Sequence, residues 1–259
     1  MKRSYFAISL LALLLIIPVL TSGQAQDLKV IKLNEPNKTR GLPVMEALSV
    51  RASVRDWSDK DLSLQDLSDL LWAANGINRP DGKKTASSAM NAQDVEIFAF
   101  MKDGVYRYDA AGHVLVQVVP GDHRSEIMMQ MRPGGSGPGG PGAKPGEKPM
   151  AKPDAKPQAP PPGAKPEGKP GSAGPTTPAP IQLILVSDIS RFRMGEAALK
   201  LEWAALDTGI VSQNISLFCA GTGLGTRPRA SMDKAKIKEL LKLSDTQYPL
   251  LNHPVGYKK

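Results

Sequence analysis

Residues 51–55 carry side chains of the types that bind anions. The segment, Arg-Ala-Ser-Val-Arg, places two guanidinium groups and a hydroxyl within five residues. These groups suit the oxygens of a phosphate, and a second guanidinium can also face a flat, electron-rich heterocycle. Alone the pattern is weak, because most basic clusters are solvated surface. Its meaning depends on the motifs that accompany it later in the chain.

Four further motifs occur in order after this segment. Ser88–Asn91 precedes a strand-like run, and a long apolar stretch carries Asp207–Gly209 and then Gln213-Asn214 before it ends at Gly223–Thr226. These residues form neither a nucleophile-and-base pair nor a metal-ligand cluster, so no metal site is predicted. That is expected where a bound cofactor supplies the chemistry. We expect the carboxylate within the apolar stretch to be a buried hydrogen-bonding or capping group.

This succession resembles the nitroreductase family of FMN-dependent oxidoreductases, over roughly residues 42–130 and 181–258. The resemblance implies an α+β fold, in which helices flank a mostly antiparallel sheet. It also implies FMN bound between the subunits of a homodimer, NAD(P)H as a possible electron donor, and a small nitroaromatic or quinone-like acceptor. The pattern Trp203-x-x-x-Asp207-x-Gly209 resembles the sequences of the family branch that contains peptide-azoline dehydrogenases.

The resemblance assigns roles to the first motif. Arg51 and Ser53 match residues that hold the FMN phosphate and ribityl chain, and Arg55 matches a basic residue at the pyrimidine edge, near N1 and O2. A cation at that edge stabilises the negative charge that builds on the ring when hydride arrives at N5. Arg55 is therefore the predicted catalytic residue.

Six more cofactor-binding residues are predicted from the later motifs. They comprise a hydroxyl and an amide on one loop, a dipeptide whose backbone amides approach N5, and two terminal lysines that reach the phosphate. In that order they are Ser88 and Asn91, Ala230 and Ser231, and Lys258 and Lys259.

The chain departs from the family pattern at the loop that contains Asn91. Ser87 stands where proline is usual, and Met90 stands where glycine is usual, which would narrow the pocket. An inserted segment, residues 133–180, also occupies the place of helices that cover the active site in many members. These departures leave a second hypothesis open, in which the chain is a non-catalytic envelope binding or scaffold protein that keeps the fold.

The N-terminus is typical of an export signal. Lys2 and Arg3 precede an apolar run from Leu10 to Leu20, and Gly23-Gln24-Ala25 offers small residues for cleavage. This predicts residues 1–25 as a signal peptide, cleaved after Ala25, and a periplasmic or otherwise exported protein. A retained membrane anchor is the alternative, although the apolar run is short for a span of about 20 residues.

The inserted segment 133–180 is rich in proline, glycine and lysine. Such a segment has too little apolar surface to offset the entropy of ordering, which predicts a disordered linker. It is interpreted as either a solvated insertion or a contact for an anionic envelope polymer. Residues 26–132 and 181–259 are then the two halves of one domain. Much of the net charge of +8 lies in the signal and the linker, so nothing favours nucleic acid as a partner.

Hydrophobic periodicity and capping signals predict the elements. Gly195–Ala220 reads as a long helix that is apolar all round, central and mostly buried, with part facing a second subunit. Cys219 within it is predicted to be a small buried hydrophobe. The other predicted helices are 42–50, 64–76 and 233–243, and the predicted strands are 95–101, 105–108, 114–119, 181–186 and 250–257.

Overall fold

The computed structural model describes residues 29–128 and 178–259. The predicted signal peptide and residues 133–177 of the predicted linker lie outside the described residues. The last linker residues belong to the folded part, because Ala179 and Pro180 are buried. The second half of the domain therefore begins slightly before the predicted boundary at residue 181.

A seven-stranded sheet forms the centre of the fold. Its order is β1-β4-β3-β2-β5-β7-β6, and every neighbouring pair is antiparallel. The strands are β1 (Val30–Lys32), β2 (Val95–Met101), β3 (Gly104–Asp109), β4 (Val114–Pro120), β5 (Ile181–Asp188), β6 (Leu224–Thr226) and β7 (Gln247–Tyr257). The strands β1 and β6 are absent from the sequence-based expectation, because three residues are too few to show an alternating pattern.

Four α-helices of the described residues accompany the sheet: α1 (Val44–Val50), α2 (Leu64–Asn75), α3 (Ala197–Thr222) and α4 (Lys234–Leu241). Their ends agree with the capping signals in the sequence. The Ser63 hydroxyl accepts from Asp66 N at 3.1 Å at the start of α2. At the end of α3, Gly223 adopts a φ of 79°, a left-handed conformation that glycine reaches without strain. The predicted α+β fold is confirmed.

Each face of the sheet has its own apolar core. On one face α2 and α3 bury side chains such as Leu70 and Ile215 against β2 and β5. On the other face Ile237 of α4 packs with Phe100 and Ile184. Burial strongly raises the pKa of the Cys219 thiol, which keeps it protonated as an inert core residue, as predicted.

The expectation that α3 is mostly buried holds for only one of its faces. Nine of its 26 residues are buried in the single chain. On the opposite face Leu206 is 61% exposed and Ile210 is 38% exposed. The helix α1, which packs on the C-terminal part of α3, adds Met45 at 73%. Together these side chains form an apolar surface on the helical side of the domain.

Both flanks of the inserted segment meet at Arg124. Its guanidinium donates to the carbonyls of Ala179 and Pro180, at 3.3 and 3.1 Å. Its own carbonyl accepts from Gln182 at 2.8 Å. Hydrogen bonds of Arg124 therefore connect the segments that precede and follow the insertion. Within residues 29–128 and 178–259, no helix is long and apolar enough to cross a membrane.

Candidate functional site

The segment Arg51–Arg55, here called the arginine segment, is held along the short edge strand β6. Ser53 pairs with Thr226 in a parallel bridge, and Val54 N donates to the Thr226 carbonyl at 3.0 Å. A Cβ on Gly225 would lie 2.7 Å from Val54, so the approach requires glycine there. The glycine-rich motif after α3 thus positions the arginines by backbone contact.

The chain terminus meets the same segment. Trp57 pairs with Lys258 in an antiparallel bridge, and its indole N donates to the Gly225 carbonyl at 3.1 Å. Arg51, Ser53, Arg55, Lys258 and Lys259 are all exposed on this rim of the domain. The Lys259 ammonium lies 3.4 Å from Asp56. The structure therefore brings together the residues that the sequence assigned to the phosphate, with Lys259 partly neutralised.

Two arginines that sequence reasoning missed lie beside this segment. Arg227 and Arg229 come directly after β6, and the Nε atoms of both are buried without a hydrogen-bond partner among the described residues. Arg229 donates through Nη2 to Gln182 and Asn252, at 3.1 and 3.0 Å. In the described part of the chain, neither arginine forms a salt bridge with a carboxylate.

The surroundings of these guanidinium groups favour an anion. Burial, and then the charge of Arg55, lower the pKa of Arg227. Burial, and then Arg227, lower the pKa of Arg229 to about 10. Positive charges at close range without a carboxylate partner are unfavourable, so an incoming anion would compensate the charge of these guanidinium groups. The signal in the sequence that could have identified them is Arg-Pro-Arg directly after Gly-Leu-Gly-Thr.

A buried histidine forms the floor below these arginines. His253 on β7 is fully buried between the hydroxyls of Ser212, at 2.8 Å from Nε2, and Thr226, at 3.2 Å from Nδ1. Burial, and then Arg229, lower the pKa of His253 to about 3. The imidazole is therefore neutral near pH 7 and joins α3 to β6 and β7. Ala230 and Ser231 are exposed on the adjoining rim.

The residues from Ser88 to Gln93, here called the amide loop, form the second predicted part of the site. Three non-glycine residues in it have positive φ: Met90 at 52°, Asn91 at 52° and Gln93 at 50°. Such conformations are strained and concentrate at functional sites. Met90, which stands where the family pattern has glycine, keeps the glycine-like backbone and leaves its side chain 44% exposed.

Side chains of the loop itself and of two other elements hold the amide loop in this conformation. The Ser88 hydroxyl accepts from Gln93 N at 2.9 Å, and Arg191 donates to the Gln93 carbonyl at 2.9 Å. Ala89 N donates to both carboxylate oxygens of Asp207, at 3.0 and 2.9 Å. The prediction that Asp207 is a buried hydrogen-bonding group is confirmed, since it is 4% exposed.

The structure does not bring the amide loop and the arginine segment together within one chain. The loop contacts α3 at Asp207, whereas the arginine segment lies beside β6, just beyond Thr222 at the end of α3. Those two positions are about 22 Å apart at 1.5 Å per helical residue. One chain therefore presents the two predicted parts of the flavin site at separate points along the same helix.

No metal cluster competes with this interpretation in the described ranges, where no group of three or more His, Cys, Asp or Glu side chains converges. The features that define the site are instead a cationic rim, a strained loop that carries an amide and a hydroxyl, and an apolar helical face between them.

Comparison with known proteins places these features in a family. The model of the nitroreductase family matches residues 48–257, and the chain belongs to that family. A curated protein of Methanocaldococcus jannaschii, named as a candidate nitroreductase, is 26% identical over 219 residues, covering 82% of this chain and 90% of that protein.

Solved structures agree with this assignment. A candidate nitroreductase from Ralstonia eutropha superposes with a TM-score of 0.67 at 26% identity, covering 89% of this chain and 90% of its own. One from Anabaena variabilis shares the fold at a TM-score of 0.57 and 14% identity, covering 83% of this chain and 38% of its own. The protein is thus an oxidoreductase by family, and members generally use a flavin and NAD(P)H. The resemblance to the azoline branch stays a prediction.

Proposed function

We propose that the protein is an exported, homodimeric FMN-dependent oxidoreductase that transfers hydride, through flavin N5, to a small organic acceptor of the nitroaromatic or quinone type. NAD(P)H or a donor of the cell envelope would supply the hydride. The observation that carries the proposal is the set of arginines beside β6, which have no carboxylate partner among the described residues.

The residues of this rim fit FMN on chemical grounds. The guanidinium of Arg51, the hydroxyl of Ser53 and the ammonium of Lys258 suit a phosphate dianion on an exposed surface. Arg55 and Arg227, whose charges interact, suit the electron-rich edge of the flavin ring. Bound FMN would supply two-electron redox chemistry, while the protein positions it and stabilises charge.

A dimer completes the proposed site. A two-fold axis across the exposed face of α3 near Gln213, midway between Asp207 and Thr222, would place the amide loop of one copy beside the arginine segment of its partner. The same arrangement covers Leu206 and Ile210, which a monomer leaves in water. Ser88 and Asn91 would then meet the flavin edge from the partner's side.

Each residue has a defined task in this arrangement. With FMN bound, Arg55 would hold a positive charge at the ring edge where negative charge develops during reduction, which would lower the barrier to that reduction. The Asn91 amide can both donate to and accept from a pyrimidine edge. Since Met90 is exposed beside it, its thioether would limit the size of the acceptor.

Export is proposed from the N-terminal sequence. Because Lys2-Arg3 is not a twin-arginine signal, the chain would cross the membrane unfolded and acquire FMN outside the cytoplasm. We propose that the linker is a solvated cationic segment, with contact to an anionic envelope polymer as an additional role.

An absorbance spectrum tests the proposal most simply. Residues 26–259 are purified and mixed with FMN, and free flavin is removed. The proposal predicts an absorbance band near 450 nm at about one FMN per subunit, and its bleaching by NADPH or by a chemical reductant. A protein that stays colourless with excess FMN would instead support the non-catalytic scaffold hypothesis.

A further inference from the structure

A buried pair of carboxyl groups lies under the amide loop. Asp94, directly before β2, is fully buried, and Asp207 on α3 is 4% exposed. Both line one narrow cavity, together with Ser88 and Val211. Two carboxylates at close range without a cation between them would repel each other.

The hydrogen bonds around the pair leave one position without a donor. Asp94 accepts from the Ser187 hydroxyl through one oxygen, while its other oxygen, Oδ1, is buried with no partner among the described residues. Asp207 accepts from Ala89 N through both of its oxygens. A single proton on Asp207 would provide the donor that Asp94 Oδ1 lacks and would remove the repulsion.

We propose that Asp94 and Asp207 share one proton, and that this proton holds the amide loop in the strained conformation that presents Ser88 and Asn91. The first part stands on the buried geometry of the pair. The second part, presentation to a flavin, rests on the proposed function.

The electrostatic surroundings agree with a retained proton. Burial, and then the hydrogen bond and charge of Asp94, raise the pKa of Asp207 to about 7, against the opposing effect of the Ala89 amide. At neutral pH Asp207 is therefore close to the point where it loses its proton.

Three neighbouring segments face the pair, and two of them carry charged groups. Lys84 precedes the amide loop, and burial, then Arg191, lower the pKa of its ammonium, while Glu96 and Asp94 oppose this. On β5, Asp188 donates its backbone N–H to the Asp94 carbonyl at 3.0 Å. The Asp188 carboxylate accepts hydrogen bonds from the backbone N–H and the hydroxyl of Ser190. From α2 only the uncharged Asn75 reaches the cavity.

Deprotonation would release the loop. With both carboxyls charged, Asp207 turns away from Asp94 and gives up its two-oxygen contact with Ala89 N. The residues Met90, Asn91 and Gln93 then lose one of the contacts that hold their left-handed backbone, while those from Ser88 and Arg191 to Gln93 remain. Asp94 and Asp207 are thus positioning residues, which act through the loop and not on the substrate.

Asp207→Asn tests this inference, because its amide can donate to Asp94 while its oxygen accepts from Ala89 N. The variant reproduces the protonated pair but does not titrate. Asp245→Asn is the matched control, since Asp245 is exposed and its side chain forms no hydrogen bond in the described part of the chain. All measurements use residues 26–259, from about pH 5 to pH 8.5.

Three readouts separate the parts of the inference. Carbon NMR of the aspartate carboxyls should show one titration near neutral pH in the wild type and in Asp245→Asn, and none in Asp207→Asn. The thermal midpoint of Asp207→Asn relative to the wild type should rise from about pH 5 to about pH 7 and level off above it, because both the folded and the unfolded wild-type chain have then lost the Asp207 proton. The FMN dissociation constant of the wild type should rise by about tenfold per pH unit above the transition, and that of Asp207→Asn should not.

Parallel pH profiles for the wild type and Asp207→Asn, with no neutral carboxyl titration, would overturn the shared proton. A neutral titration with pH-independent FMN binding would overturn only the link between the proton and the loop. If the protein binds no FMN at all, the proposed function fails, and the NMR and thermal readouts still decide the shared proton.

Discussion

The arginine segment and the amide loop differ in how the protein supports them. The arginines lie on backbone contacts to β6 and β7, over a neutral His253, and carry positive charge that no carboxylate neutralises among the described residues. The amide loop is strained, and its support, Asp207, is a buried acid. The arginine segment therefore has the charge to attract an anion, whereas the amide loop has a fixed backbone conformation. A flavin needs both, because its phosphate is charged and its ring edge requires oriented hydrogen bonds.

The largest expected effect comes from removing the charge beside the ring. Arg55→Ala should slow flavin reduction by about 100-fold or more, because a preorganised cation stabilises the charge that develops in the transition state. Stopped-flow bleaching at 450 nm measures the rate. Arg107→Ala removes an exposed arginine on β3 and serves as the control. Equal rates in wild type and Arg55→Ala would remove Arg55 from the mechanism.

The next effect comes from disrupting the proposed dimer, in which the amide loop of one copy meets the arginine segment of the other. Leu206→Asp on the exposed face of α3 should weaken the dimer by at least about 100-fold, because the symmetry of the interface buries the new charge twice. FMN should be lost together with the dimer, as measured by sedimentation and absorbance. Val30→Asp changes a similarly exposed apolar residue on β1 and should leave both unchanged. An intact dimer in Leu206→Asp would contradict the interface.

A smaller effect is expected at the arginines beneath the rim. Arg227→Met keeps most of the side-chain volume and removes the charge and the orphaned Nε donor. The FMN dissociation constant should rise by roughly tenfold, in line with the loss of one charge-assisted hydrogen bond. Arg193→Met is the control, since that residue is exposed on the turn before α3. Fluorescence quenching of FMN measures both.

The pH dependence of stability should have opposite signs in the two regions. Asp207 keeps its proton up to about pH 7 in the folded state, whereas the unfolded chain loses it near 3.8. The contribution of Asp207 to the free energy of unfolding therefore falls as pH rises between those values. The pKa of His253 is near 6.5 in the unfolded chain and about 3 in the folded state. The contribution of His253 to the free energy of unfolding therefore falls as pH falls between those values.

The two contributions oppose each other in the wild type, and single variants should expose them. Asp207→Asn should gain stability with rising pH from about 4 to 6.5, and His253→Gln should lose stability over the same range relative to the wild type. Chemical denaturation at several pH values measures the slopes. If the free energy of unfolding changes with pH in the same way in the wild type and in both variants, neither group is buried as described.

The reach of sequence-based prediction differs between elements for physical reasons. The periodicity of Leu64–Asn75 and the capping Ser63 determine α2 locally, so the sequence predicts it to within a residue. The strand β6 is only three residues long and forms through pairing with distant Tyr257, which no local pattern records. For the site, motif order identified the arginine segment and the amide loop.

The sequence could not show the parts that depend on burial. In the sequence Arg227 is typical of a surface charge, and only the structure shows that its Nε is buried. Asp94 is typical of a residue at the end of a strand, and only the structure shows that it lines the same cavity as Asp207. The strain of Met90 is likewise a tertiary property, because the residue alone disfavours a φ of 52°.

The smallest effect is expected from the linker. Arg124 already joins the chain on both sides of the segment, so closing it with a short loop requires no rearrangement. Replacing residues 135–175 with a short Gly/Ser loop should change the thermal midpoint and the FMN content very little. A large loss of either would show that the segment packs on the domain.

Sedimentation velocity of residues 26–259, loaded with FMN and recorded at 280 and 450 nm, tests the central claim that the two regions meet around a flavin between two copies of the chain. The account predicts that the 450 nm absorbance sediments with a dimer, at about one FMN per subunit at micromolar protein. Flavin on a monomer, or a dimer that carries none, would contradict it.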